Sequence, residues 1–487
     1  MKEEEGTPAA DGSDAESRKR AAHDQPPPAA LLEFMTKGWD TSRPAAKAPI
    51  TGVDQYEKRR QELSRRFPGM LMVVPAGVEK VRANDTTYLF RPGTDYLYLV
   101  GEGEPDEVLV MKPLEGGGHQ AQIFTEPEAD FSKSDFFTDR VKGVLWVGPG
   151  RGLEVTQQRL GVDAAGLAEL PQAVSGFDRG VALRGLDPKV DRLAADLAGP
   201  DQELASQLSE MRLIKDQLEV ELLEEACDLT RQGFEDVVRA LPHARTERDV
   251  EVAFFAKARA AGNDTGYSTI AAAGSHATIL HWSHNDGEVR PGELLLLDAG
   301  VETNRYYTAD VTRTMPISGR FTDVQRRVYQ LVYDAQQAAF AAVKPGNEFL
   351  APNRAAMRVL AQGLEAMGLL PVSAEESLEQ DRQLHQRYTL HSVSHMLGLD
   401  VHDCARAREE TYRQGILQPG MVLTVEPGLY FQPHDLTVPQ DLRGIGVRIE
   451  DDVLVTEDGY RLLSVGLPAA PDDLERWMAG IWSGQKS

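Results

Sequence analysis

The sequence predicts an α+β protein in which a small α/β domain precedes a larger one built on a largely antiparallel sheet flanked by helices. Three observations carry this expectation. At 487 residues the chain is too long for one ordinary hydrophobic core. Its apolar share of 41%, alongside 26% charged residues, fits a globular chain. In the second half, strand-like and helix-like stretches fall in blocks, without the strict βαβ alternation of a parallel sheet.

Residues 1–48 are rich in Glu, Asp, Ala, Pro and Lys and include Pro26-Pro27-Pro28. So few apolar groups cannot offset the entropy of ordering, and the stretch reads as a disordered tail. Arg18-Lys19-Arg20 belongs to that solvated tail and is no targeting signal, while Leu31-Leu32-Glu33-Phe34-Met35 reads as one helical turn. From 49 to 205, β-rich runs such as Met70–Val74 and Val108–Met111 alternate with helical stretches. Turn chemistry, for example Arg91-Pro92-Gly93-Thr94-Asp95, separates them, giving a small α/β domain. Gly148-Pro149-Gly150-Arg151-Gly152 has the glycines of a phosphate loop. Pro149 removes a donor and the rest of the fingerprint is missing, so a plain turn is expected.

Residues 206–215 mark the boundary. Asp216 then caps a new helix, Glu219 stands three residues later, and Leu218, Leu222, Leu229 and Phe234 recur at helical spacing. The second domain, 206–475, has helices over 323–343 and 352–368 and strands over 293–298, 306–315, 421–426 and 446–455. Residues 476–487 are read as a short C-terminal tail.

A net charge of −24 argues against nucleic acid as a partner, because phosphate binding needs clustered Lys and Arg. No run approaches the ~18 apolar residues of a membrane span, so no membrane is involved. The start Met1-Lys-Glu-Glu-Glu-Gly6 lacks a secretory apolar core, which favours the cytoplasm. Two cysteines give no disulfide framework and no metal pattern; Cys227 sits on the apolar stripe of its helix, and Cys404 is also assigned to packing.

Chemistry concentrates in the second domain. Asp298 ends the apolar run Leu294–Leu297, with Ala299-Gly300 turning the chain. Asp310 follows twelve residues later on the next strand, a spacing that lets a hairpin bring both carboxylates together. His391 and His395 form H-x-x-x-H, and His402 follows; residue 392 is Ser, so this is not a zincin helix. Glu426 precedes Pro427-Gly428, which bars a helix and presents the carboxylate at a strand end. Glu450 lies two residues past Arg448, so both project from one strand face, and Arg448 can pair with a site carboxylate or orient a ligand. Asp451 alternates to the opposite face and is expected in solvent. His276, His284 and His385 are assigned to surface or loop positions. Four carboxylates and an imidazole cannot cluster unless cations neutralise them, so Asp298, Asp310, His395, Glu426 and Glu450 read as the donors of a two-metal hydrolase.

Three stretches extend this reading: Leu390-His-Ser-Val-Ser-His-Met-Leu-Gly-Leu-Asp-Val-His-Asp403, Pro419-Gly-Met-Val-Leu-Thr-Val-Glu-Pro-Gly-Leu-Tyr430 and Arg443-Gly-Ile-Gly-Val-Arg-Ile-Glu-Asp-Asp452. In these the chain resembles the pita-bread metallopeptidases and, within them, bacterial aminopeptidase P, the Xaa-Pro aminopeptidases. Residues 54–200 resemble that family's amino-terminal domain, notably Tyr88-Leu-Phe-Arg-Pro-Gly-Thr-Asp-Tyr-Leu-Tyr-Leu-Val-Gly101. The resemblance implies a curved sheet with two divalent ions in its concave face, most simply Mn²⁺, with Zn²⁺, Co²⁺ and Fe²⁺ as alternatives. It implies that Asp310 and Glu450 bridge both ions, that Asp298 holds one alone, and that His395 and Glu426 hold the other. A hydroxide bridging the ions would be the nucleophile, with Glu426 shuttling its proton. His391, His402, His281 and Tyr267 match substrate-facing positions. The implied substrates are peptides with a free amino terminus and Pro second, and the implied assembly is a homo-oligomer, a dimer or tetramer. Ser392 stands where relatives often have Gly, and Leu97 where some carry a substrate-contacting Trp. A prolidase would share all five donors and differ in requiring dipeptides; a metal-free binding module would have lost some of them.

Overall fold

The computed structural model describes residues 26–40 and 47–484, so most of the expected tail, including Arg18-Lys19-Arg20, lies outside the described residues. Part of that tail is folded, which corrects the expectation for it. A helix runs over Ala29–Met35, and the Trp39 indole stacks on Phe131 and meets Phe136 edge-on, with ring centroids 5.6 and 5.1 Å away. One large aromatic with ring partners outweighs the polar composition around it. The division between two compact units falls between Ala205 and Ser206, inside the helix Asp201–Met211.

The first unit holds a mixed five-stranded sheet: β1 (Leu71–Pro75), β2 (Val108–Pro113), β3 (His119–Thr125), β4 (Asp163–Gly166) and β5 (Gly180–Ala182), in the order β4-β3-β2-β1-β5. β1, β2 and β3 pair antiparallel, while β4 and β5 add parallel edges. Leu71, Val73, Val108, Val110 and Phe124 form its core with helices on the flank. The Gly148–Gly150 segment has no regular structure and leads into the helix Gly152–Leu160, before which Arg151 pairs with the buried Glu107 at 2.7 Å. Leu97 points into the core from the helix Thr94–Val100.

The second unit opens with α1 (Gln217–Ala240). The Asp216 side chain accepts from Glu219 N and the Glu219 side chain accepts from Asp216 N, the reciprocal cap its sequence predicts. Its apolar stripe, including Phe234 and Cys227, is buried. After α2 (Glu247–Ala261), three antiparallel strands follow: β6 (Ile270–Ala273), β7 (Leu294–Ala299) and β8 (Val311–Pro316), with β7 central. Helices α3 (Asp323–Ala342) and α4 (Ala351–Ala366) precede β9 (Val422–Val425) and β10 (Gly428–Tyr430). The predicted 446–455 strand is two strands, β11 (Gly446–Arg448) and β12 (Asp451–Val455), paired with β10 and β9 respectively. Glu450 N donates to Thr312 O at 3.1 Å and Arg448 N to Thr314 Oγ1 at 3.1 Å, stitching this second layer of strands to β8.

Residues 476–482, assigned to a tail, are helical. Helix α5 covers Pro471–Trp482, with Leu474, Met478 and Ile481 buried in the core and the Trp482 indole donating to Val238 O at 2.6 Å. These apolar residues recur at helical spacing across position 476, where the sequence reading placed a boundary. Burying each contributes about 1.5–3 kcal/mol.

Candidate active site

β7 and β8 pair so that Asp298 lies opposite Thr312, and Asp310 immediately precedes β8. The hairpin therefore brings Asp298 and Asp310 together: the Tyr267 hydroxyl lies 2.7 Å from Asp298 Oδ1 and 2.6 Å from Asp310 Oδ1. Glu450, in the two-residue gap between β11 and β12, accepts from Thr312 Oγ1 at 2.6 Å. Arg448 sits beneath: one guanidinium nitrogen pairs with Asp298, another donates to Tyr430 Oη at 3.0 Å, and Nε donates to Thr312 Oγ1 at 3.2 Å. Arg448 and Glu450 thus face the same site although the strand breaks between them.

The histidine segment packs against β9, with Thr424 N donating to His395 O and Glu426 N to Val393 O. His395 Nε2 is 3.2 Å from Asp310 Oδ2 and 3.6 Å from Glu426 Oε1. Its Nδ1–H donates to Met396 O at 3.1 Å, which leaves Nε2 aimed at the carboxylates. One donor atom each of Asp310, His395 and Glu450 lie within 4.8 Å of one another. The His402 ring stands nearly perpendicular to that of His395, centroids 4.5 Å apart. His391 Nδ1–H donates to Ser392 O at 3.0 Å, so Nε2 accepts from the Tyr430 hydroxyl at 2.7 Å. His281, on the loop before β7, is exposed but near enough for its charge to act on His391 and His402.

The electrostatics are those of an acidic cluster short of positive charge. Burial raises Glu426 to about 7, with the His395 charge opposing and Asp310 reinforcing the shift. Burial and the charges of Asp310, Glu426 and Asp298 hold Glu450 well above the carboxylate range, and Asp298 is also raised despite Arg448. Burial disfavours charge on His395, yet its bond to Asp310 and the Glu426 charge lift it to about 9. Burial and Arg448 push His391 down to about 4. Oxygen-rich donors that hold protons in the absence of a cation fit divalent ions, which would replace those protons.

Residues 221–457, a span that contains all five candidate donors, match the Metallopeptidase family M24, and residues 56–177 match the Aminopeptidase P, N-terminal domain. The chain is 50% identical over 456 residues to Xaa-Pro aminopeptidase 1 of Streptomyces coelicolor, covering 93% of this chain and 92% of that protein. The chain belongs to the aminopeptidase P family. It is also 32% identical over 449 residues to the Xaa-Pro aminopeptidase of Escherichia coli, covering 87% of this chain and 97% of that one. Among solved structures, Pseudomonas aeruginosa aminopeptidase PepP superposes with a TM-score of 0.79 at 30% identity, covering 90% of this chain and all of that one. Aminopeptidase P from E. coli with the inhibitor Pro-Leu gives the same TM-score, identity and coverage. The small amino-terminal domain and pita-bread catalytic domain of this family are the architecture seen here.

Two sequence expectations fail around the site. Asp451 is buried, not solvated: it pairs with the buried Arg313 at 2.7 Å and accepts from Gln336 Nε2 at 2.9 Å. Strand alternation assumes one wet face, whereas α3 supplies Gln336 on the far side. His385 is also buried, its Nδ1–H donating to Ser377 O at 3.0 Å. Of the other two, His284 is exposed, while His276 is half-buried against Glu247.

Several supporting groups were missed. Arg313 donates to Glu450 O and Gln336 to Val425 O and Ile449 O, fixing the backbone at Glu450 and beside Glu426. Asp452 Oδ2 accepts from Asp310 N at 3.0 Å and from the Cys227 thiol at 3.3 Å. Asp403, next to His402, is buried between Arg212 Nε and Lys215 Nζ, both at 2.9 Å. Tyr430 carried a readable signal, since Gly428 shares its strand face and a Cβ there would come within 2.3 Å of the Tyr430 hydroxyl.

Proposed function

We propose that this chain is a dinuclear Xaa-Pro aminopeptidase, removing the first residue of peptides that have a free amino terminus and proline second. The observation that carries the reading is the cluster of four carboxylates and one imidazole, with Asp298, Asp310 and Glu450 buried and Glu426 and His395 partly so, into which Arg448 alone among the described guanidinium groups pairs. Asp310 and Glu450 would contact both ions, Asp298 one of them, and His395 with Glu426 the other. Oxygen-dominated donors suit Mn²⁺. When bound, such ions supply a water of lowered pKa as nucleophile at neutral pH and polarise the scissile carbonyl.

The chain's own residues do the rest. Glu426 takes a proton from the attacking water and returns it to the leaving proline nitrogen. His391 has both ring nitrogens engaged, by Ser392 O and Tyr430, so it braces the site beside Glu426, 3.4 Å from Oε2. His402 and His281 are exposed and remain to donate to the developing oxyanion and the peptide. The carboxylates around Asp298 favour a terminal ammonium. A proline nitrogen carries no N–H, so its pocket need supply no acceptor.

The test compares Xaa-Pro-Xaa, its N-acetylated form, the Xaa-Pro dipeptide and Xaa-Ala-Xaa on Mn²⁺-loaded protein. Only the first should be cleaved efficiently. Equal cleavage of the acetylated peptide overturns the aminopeptidase reading, and cleavage of the dipeptide alone indicates a prolidase. A cytoplasmic homo-oligomer, dimer or tetramer, belongs to the same proposal; light scattering measures the assembly.

A further inference from the structure

Glu247 lies in the first turn of α2 and is fully buried, yet it touches none of the five donors. Each of its carboxylate oxygens receives two hydrogen bonds. Oε1 accepts from Ala273 N at 2.7 Å and His276 Nδ1 at 2.8 Å, and Oε2 accepts from Trp282 Nε1 at 2.8 Å and Gly287 N at 2.6 Å. A buried carboxylate with four N–H donors is fully satisfied and needs no countercharge. The donors are not scattered. Ala273 ends β6, Gly287 lies toward β7, and His276 and Trp282 belong to the loop between them.

That loop carries His281. Trp282, its neighbour, is held by Glu247 at the indole nitrogen and stacks on His276 with ring centroids 3.9 Å apart. Gly287 leaves room for the arrangement, since a Cβ there would lie 2.6 Å from His276 Nδ1 and 2.8 Å from Glu247 Cδ. On the site side, Leu280 O accepts from Arg448 at 3.4 Å and Thr278 O from Gln432 Nε2 at 2.6 Å. Asn285 is buried at positive φ (49°), accepting from Ala271 N at 3.0 Å and donating to Thr269 O at 2.9 Å. His281 itself is exposed. Its place therefore depends on its supports, and Glu247 joins both ends and the middle of the loop.

We infer that Glu247 is a positioning residue for peptide hydrolysis, a buried clamp that sets His281 over the substrate. The inference rests on the proposed substrate-facing role of His281. A glutamine would turn one acceptor oxygen into an NH₂ group facing two N–H donors, loosening the loop while leaving the five donors in place.

The test is a double-mutant cycle on the full-length, Mn²⁺-loaded protein with an Xaa-Pro-Xaa substrate, with metal content and melting temperature recorded for each variant. Glu247→Gln should lower kcat/KM by about 10–100-fold, the range for a misplaced catalytic group, without loss of metal. In the His281→Ala background the same change should cost less than about threefold, because the group it positions is gone. Trp282→Phe removes one of the four donors, is the variant to use if Glu247→Gln fails to fold, and should show a smaller loss that also vanishes with His281→Ala. Equal losses in both backgrounds would overturn the clamp, as would full activity of Glu247→Gln. Wild-type activity of His281→Ala alone would instead refute the role of His281, and the clamp's part in catalysis with it.

Discussion

Metal binding to this site should release protons and strengthen steeply with pH. Without a cation, His395 is held at about 9 and Glu426 at about 7, while Glu450 and Asp298 are also raised. A cation requires all of them as bare donors. Between pH 7 and 9 binding must displace the His395 proton, so apparent affinity should rise about tenfold per pH unit. Below 7 the Glu426 proton is added, and the slope becomes about a hundredfold per unit, steeper if Glu450 contributes. The sign for stability is the reverse. Both folded values lie above the ordinary 4.5 and 6.5, so in metal-free protein their contribution is full below those values and lost as pH rises through about 7 and about 9. Titration calorimetry with Mn²⁺ from pH 6 to 8.5, in buffers of different ionisation enthalpy, measures both affinity and protons released. Melting curves with and without chelator should diverge as pH rises. An affinity flat across that range, or binding without proton release, would refute the assignment of His395 and Glu426 as donors.

Other consequences follow from single contacts. Tyr430→Phe removes one hydrogen bond from each of Arg448 and His391, and should lower kcat/KM by about 10–100-fold at unchanged metal content, on the scale of a hydrogen bond to a charged group; activity within twofold of wild type would show that Tyr430 has no part in orienting them. His402→Ala should reduce turnover by about 10²–10⁴-fold while metal content is kept, whereas His395→Ala should deplete one ion in elemental analysis; equal metal loss in both variants contradicts the separation of roles. Asp403→Ala removes the carboxylate that the buried Arg212 and Lys215 share and should cost about 3–5 kcal/mol in denaturant unfolding. Although burial opposes its ionisation, those two cations hold the Asp403 carboxyl below its ordinary value, so its contribution should persist through mildly acidic pH and fail only in strong acid.

The sequence was most legible where local pattern and chemistry coincide. The spacing from Asp298 to Asp310 and the Pro-Gly after Glu426 each fix where a carboxylate emerges, and the structure draws these groups together; the turn expected at Ala299-Gly300 is not there, because a short strand, Val301–Glu302, follows β7 after one residue and the chain turns only at 304–306. The Asp216–Glu219 cap was visible for the same reason. What stayed hidden depends on partners far along the chain. Asp451 looks solvated until Arg313 and Gln336 cover it, and Asp452 looks redundant until it is found holding Asp310 N. Helix α5 was missed because the boundary was drawn through its apolar repeat. Trp39 was missed because one aromatic in a polar stretch says nothing of Phe131 and Phe136.

The buried pairing of Asp403 with Arg212 and Lys215 bears on how this enzyme could be dissected. The M24 match begins at residue 221, downstream of both cations. A fragment cut at that edge would keep the carboxylate beside His402 and discard both groups that neutralise it, leaving an unpaired interior charge where the chain can least accommodate one. The shortest piece able to fold and work alone must therefore begin no later than Arg212. Family matching marks where relatives look alike; charge balance marks where the domain starts.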